Sequence, residues 1–125
     1  MEGKITDLSA EDWKSAIDVN LNGTFYVCQA VIPHLIKTKG SIINVSSLSG
    51  IGGDWNMAAY NAAKAGVTNL TRTLALDHGP DGVRVNAVNP TATETSMTKD
   101  LREDKEKTDK FLARCPLGRF VTPED

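Results

Sequence analysis

The chain has 125 residues, 40% of them hydrophobic and 24% charged, and a formal net charge of −2; this fits one soluble globular domain and gives no electrostatic basis for binding nucleic acid or an anionic membrane surface. No apolar run approaches the roughly 20 residues that span a bilayer, and the polar start Met1-Glu-Gly-Lys-Ile5 does not read as a signal peptide. Cys28 and Cys115 stand far apart with no CxxC pair or partner histidines, which argues against a disulfide framework or a metal site and for reduced thiols in a cytoplasmic protein.

In chain order, Ser9-Ala-Glu-Asp12 has the form of a helix capping box. Trp13, Ile17, Leu21, Phe25 and Cys28 then recur at helical spacing and predict one long helix over residues 10–34. Gly23 inside it suggests close packing against a neighbour, and Pro33 is expected to end or bend it. After Gly40, Ser41–Ser46 reads as a short buried strand, followed by a glycine-rich loop, Gly50-Ile-Gly-Gly53. From Met57 to His78 the pattern is helical again and rich in alanine. Gly79-Pro-Asp-Gly82 is dense turn punctuation, and Val83–Val88 is a second strand closed by Asn89-Pro90. Thr91–Ala113 is polar and charged and predicts a solvated helix, with Leu101, Phe111 and Leu112 as docking points. Helix–strand–helix–strand is the grammar of parallel strands joined by a right-handed crossover. Two strands are too few for a buried parallel sheet, so the pattern reads as a slice of a larger one.

Three places carry candidate chemistry. Tyr60 and Lys64, at i and i+4, share one helix face. A free tyrosine, with a pKa of about 10, is a poor proton shuttle at neutral pH, and a nearby cation moves it toward general acid–base work. The plain alternative is two neighbours on an exposed helix. Ser46-Ser47 stands at the carboxyl end of a strand, where open α/β sheets bind ligands and a hydroxyl can polarise a carbonyl; a turn serine bonded to local backbone is the commoner role. Asn86-Ala-Val-Asn-Pro90 with Thr95 follows the second strand, and an ordinary turn would explain it equally well.

Together these motifs resemble the short-chain dehydrogenase/reductase family. Asp18-Val-Asn-Leu-Asn-Gly-Thr-Phe25 is similar to the family's helix asparagine motif, and Ile43-Asn-Val-Ser-Ser47 to its strand ending in a catalytic serine. Tyr60-x-x-x-Lys64 begins 13 positions past Ser47, the family's spacing, which selects Ser47 over Ser46. Arg84–Pro90 with Thr95 resembles its cofactor segment, and Pro116–Asp125 the approach to its final helix and strand. The resemblance implies an α/β fold, a Rossmann-like doubly wound parallel sheet. Of this sheet, residues 1–125 would form the central-to-late, catalytic part: two strands, two long helices and a lid helix, without the N-terminal cofactor-binding half and the final strand. It further implies an oxidoreductase that uses NAD or NADP. Tyr60 would be the proton donor and acceptor. Lys64 would assist it and hold the nicotinamide ribose, Ser47 would orient the substrate oxygen, and Asn20 would kink its helix and hold a relay water. Pro90, Thr91, Thr93 and Thr95 would hold the nicotinamide end of the cofactor.

Thr91 departs from the family's pattern, since glycine usually follows that proline, and a side chain there would crowd the cleft or alter the backbone angle. Gly50-Ile-Gly-Gly53 is no dinucleotide fingerprint, because position 55 is Trp55; it reads as a substrate-side wall with Ser49, Trp55 and Asn56 at the pocket mouth. Gly53-Asp-Trp55 and Ala75–Gly79 look similar to acetoin reductases and 2,3-butanediol dehydrogenases, which implies a small ketone or secondary alcohol as substrate. A 3-oxoacyl carrier-protein reductase is the competing enzyme reading. A catalytically inactive fragment that only self-associates is the competing reading of another class. The family resemblance also implies a homodimer or homotetramer built through helices 10–34 and 58–78.

Overall fold

In the computed structural model, which describes residues 3–125, Ser9 caps the first helix, α1 (Ala10–Ile17). Its hydroxyl accepts from the Asp12 N–H at 3.0 Å and donates to the Asp12 carboxylate at 2.8 Å. The capping box is therefore half formed, with the acid answering the hydroxyl instead of the Ser9 N–H. Met1 and Glu2 of the polar N-terminal stretch lie outside the described residues.

The helix predicted over residues 10–34 continues to Thr38 and contains a change of winding. α1 passes into a π-helical turn, Asp18–Asn22, in which Gly23 N–H bonds Asp18 O, and then into α2 (Gly23–Thr38). The π turn sets the phase of the two halves. Twelve residues of regular helix would put Cys28 about a third of a turn from Ala16. The extra residue absorbed by the π turn returns both to one face, and Ala16, Cys28 and Ile32 are all buried. Among the described residues, Gly23 has only the Asp18 carbonyl near the position of a side chain, at 3.7 Å. The close contact lies instead at Gly66, where an added Cβ would stand 2.8 Å from Leu21 of the π turn.

Pro33 does not end the helix. It lies on an exposed face, as does Gln29 one turn before it, so the Gln29 carbonyl left without an N–H partner faces water. The end comes at Lys39, whose left-handed backbone (φ 55°) lets Gly40 N–H bond Leu35 O at 3.0 Å. The Lys39 ammonium is held by Asp81 O at 2.7 Å.

β1 (Ser41–Val45) and β2 (Arg84–Val88) pair in parallel, Ser41 opposite Arg84 and Val45 opposite Val88. The Gly50–Gly53 stretch, expected as a loop, is mostly a one-turn helix, α3 (Ser49–Gly52), closed by Gly53 at φ 72°. α4 (Ala58–His78) is the long alanine-rich helix. It packs Ala63, Val67, Thr68 and Thr71 inward, against the strand faces that carry Val85, Asn44 and Ser46.

That face of β1 is polar, and its groups are paired. Cys28 Sγ donates to Asn44 Oδ1 at 3.6 Å, Asn44 Nδ2 to Thr71 Oγ1 at 2.9 Å, and Thr71 to Val67 O at 2.8 Å. Burial pushes the Cys28 thiol above its ordinary pKa, and the hydrogen bond to Asn44 offsets part of this. From the opposite face Ile43, Val45 and Val88 project 46–66% exposed.

The described residues up to Asn89 form one compact unit and Pro90–Asp125 a second. Within the second, the charged stretch folds as a 3₁₀ turn (Ser96–Thr98), α5 (Lys99–Glu103) and α6 (Lys105–Leu112). A single helix is interrupted at Asp104, whose extended backbone and side chain cap α6. Phe111 stacks on buried Phe120 with centroids 5.1 Å apart, and Arg119 grips Asp125 through two hydrogen bonds of 2.8 and 2.9 Å.

Candidate active site

The carboxyl end of β1 and the first half of α4 meet at Lys64. The Ser46 N–H donates to Val88 O at 2.9 Å, which fixes the strand end to β2. Ser46 Oγ donates to the Lys64 carbonyl at 2.7 Å and lies 2.7 Å from Thr68 Oγ1. Side chains alternate along a strand, so Ser46 turns to α4 while Ser47 does not. Ser47 is 8% exposed, and its Oγ accepts from the Ser49 N–H at 3.1 Å. Its own hydroxyl hydrogen remains for another acceptor.

Tyr60 and Lys64 lie one turn apart on α4, as their spacing predicts. The ammonium is 5.7 Å from the centre of the Tyr60 ring, within the range of a cation–π contact. It also donates to Val45 O at 3.0 Å, a carbonyl at the strand's end, and two of its three donors are left over. Loss of solvent holds the Lys64 pKa below its usual 10.5. Asn20 sits in the π turn, where its Nδ2 donates to Ala16 O at 3.0 Å and its carbonyl accepts from Thr24 at 3.1 Å.

Ser49, expected at the pocket mouth, donates to the Asp54 carboxylate at 3.2 Å. Trp55 is 59% exposed. Asn56 takes a left-handed backbone (φ 58°) and accepts from the Gly3 N–H at 2.8 Å. Asn61, beside Tyr60, donates to Asp54 O at 2.8 Å and so ties this loop to α4.

Asn20, Ser47, Ser49, Trp55, Asn56, Tyr60 and Lys64 thus all belong to the first unit. Pro90, Thr91, Thr93 and Thr95 begin the second. There Thr93 Oγ1 donates to Thr91 O at 3.1 Å, and at the start of the 3₁₀ turn the Thr95 N–H donates to Thr98 Oγ1 at 3.3 Å. Thr91 is not among the residues with positive φ, so its side chain sets no backbone strain where the family's pattern has glycine. The polar seam of Asn44, Ser46, Thr68 and Thr71 was not read from the sequence as a unit. Its signal was present: i, i+2 on a buried strand and i, i+3 on the facing helix.

The whole chain, residues 1–125, matches the model of the family described as enoyl-(acyl carrier protein) reductase. It is 46% identical over 123 residues to a meso-2,3-butanediol dehydrogenase of Serratia marcescens, covering 98% of this chain and 48% of that protein. The chain belongs to the short-chain dehydrogenase/reductase family. It is also 47% identical over 119 residues to a 3-oxoacyl-[acyl-carrier-protein] reductase of Thermotoga maritima, covering 94% of this chain and 48% of the relative. Among solved structures, one from Beutenbergia cavernae with bound NADP superposes with a TM-score of 0.93 at 32% identity. The match covers 99% of this chain and 50% of that one. The short-chain dehydrogenase/reductase chain described here spans about half the length of the relatives it matches, and its sheet is a part of a Rossmann-like one.

Proposed function

We propose that this segment carries the catalytic residues of an NAD(P)-dependent oxidoreductase acting on a small ketone or secondary alcohol, of the acetoin and 2,3-butanediol kind. The observation that carries this reading is the meeting of the β1 end with α4. Lys64 is tied by its ammonium to Val45 O at 3.0 Å and by its carbonyl to Ser46 at 2.7 Å, which brings Ser47 and the Tyr60–Lys64 face to one end of the sheet. Ligands of open parallel sheets bind at such strand ends.

Ser47 donates its hydroxyl hydrogen to the substrate oxygen and holds it in place as charge develops. Tyr60 exchanges a proton with that oxygen, and the Lys64 ammonium beside its ring offsets the negative charge left on the phenol oxygen. The two unused donors of Lys64 suit ribose hydroxyls. A nicotinamide dinucleotide supplies the hydride when bound. Asn20, in the π turn, holds a water of the proton path.

The butanediol dehydrogenase relative supports a small vicinal ketol or diol as substrate. The test follows NADH and NADPH oxidation with acetoin and with a 3-oxoacyl thioester. Acetoin reduction that falls by roughly 100-fold or more in Tyr60→Phe is the expected result. An inert acetoin with a reduced thioester moves the assignment to a 3-oxoacyl carrier-protein reductase, which the Thermotoga relative favours. Turnover unchanged in Tyr60→Phe would overturn the assignment of the proton donor.

A further inference from the structure

Ser46 is 3% exposed, and it takes no part in the proton and hydride steps above. Its hydroxyl donates to Lys64 O at 2.7 Å and lies 2.7 Å from Thr68 Oγ1. Thr68 in turn lies 3.1 Å from the same carbonyl and 3.3 Å from Asn89 Oδ1. With the Ser46 N–H on Val88 O, this one residue ties β1, α4 and the end of β2 at a single point. That point is the peptide carrying Lys64. Gly50 bears on the same peptide: a Cβ there would lie 2.6 Å from the Lys64 carbonyl carbon and 2.8 Å from Ala65 N. Stability alone does not call for a hydroxyl in this gap, because apolar groups of matching shape replace buried hydrogen-bonded pairs at little cost. What the hydroxyl adds is direction, since a hydrogen bond weakens steeply as it leaves its axis.

We propose that Ser46 is a positioning residue, which fixes the Lys64 peptide, and with it the Tyr60–Lys64 face, at a set distance from Ser47, its neighbour in the chain. The proposal rests on the catalytic reading of Ser47, Tyr60 and Lys64. Thr71 provides the control, because it makes an equally buried bond to Asn44 (2.9 Å) seven residues past Lys64 on α4 and has no hydrogen bond to Lys64.

The experiment compares Ser46→Ala, Ser46→Thr and Thr71→Val in the protein that contains this chain. Each is read by thermal unfolding, by kcat and KM for acetoin across pH, and by the titration of the Lys64 ammonium in ¹⁵N-lysine NMR. Ser46→Ala is expected to lower kcat roughly 10- to 100-fold, as a misplacement of up to about 1 Å does, with KM nearly unchanged. It should displace the alkaline limb of the kcat profile and raise the Lys64 midpoint toward 10.5 as the ammonium gains solvent. Ser46→Thr restores these readouts, and Thr71→Val lowers the Tm comparably while leaving them in place. The proposal is overturned if Ser46→Ala keeps the parent's Lys64 midpoint, or if Thr71→Val moves that midpoint as far. A parent protein that reduces no ketone sinks the functional reading instead, and the Lys64 titration, which needs no turnover, still decides the role of Ser46.

Discussion

A methyl group added at Gly50 would meet backbone atoms of α4 at 2.6–2.9 Å, and a helix interior cannot step aside for it. One added at Gly66 would meet the tip of the Leu21 side chain at 2.8–3.5 Å, which can rotate away. Gly66→Ala also gains about 1 kcal/mol of helix propensity. Gly50→Ala is therefore expected to lose about 1–3 kcal/mol, while Gly66→Ala stays within about 1 kcal/mol of the parent. Urea midpoints at constant slope measure both, and a larger loss at Gly66 would refute this account of the two contacts. The same difference explains what single residues disclosed in the sequence. The placement of Tyr60 and Lys64 on one helix face and of Ser47 at a strand end was legible because one helix turn and one strand end fix that spacing. The contacts of Gly50, Gly66 and Ser46 depend on which backbone lies opposite, and spacing carries no information about that.

At the scale of elements, the π turn is one residue inserted into an otherwise regular helix, with Ala16 and Cys28 brought to one face. Deleting Val19, which is 71% exposed, converts the turn to regular helix and keeps that face in phase. The deletion is expected to leave cooperative unfolding intact while displacing Asn20, with a fall in turnover of roughly tenfold or more. Circular dichroism melting beside ketone reduction measures the two effects, and a deletion that abolishes folding would contradict the phasing argument. No periodicity in the sequence reveals this turn, since Trp13, Ile17, Leu21, Phe25 and Cys28 fit a regular helix well. In the structure Trp13 and Phe25 are 39% and 41% exposed, and the buried stripe is Ala16, Cys28 and Ile32. α4 and both strands were legible because alanine density and β-branched runs act locally. The extension of α2 past Pro33 was not, because it depends on the exposure of Gln29 and on the left-handed turn at Lys39.

At the scale of the whole molecule, Phe25, Tyr26 and Val27 on α2, and Ile43, Val45 and Val88 on the sheet, are 41–66% exposed. A two-stranded parallel sheet also leaves two edges whose backbone groups seek partners. Residues 1–125 produced alone are therefore expected to associate at tens of micromolar. Light scattering giving 13.5 kDa at every concentration would be the contrary result. Cys28 offers a way to watch such a chain open without a substitution to introduce a probe. Alkylating reagents attack the thiolate, and this residue is both 3% exposed and held toward the neutral thiol by burial. Its labelling in the native state must wait for α2 to lift from Asn44, so the rate of modification at this one atom times the breathing of the helix that follows the π turn of Asn20.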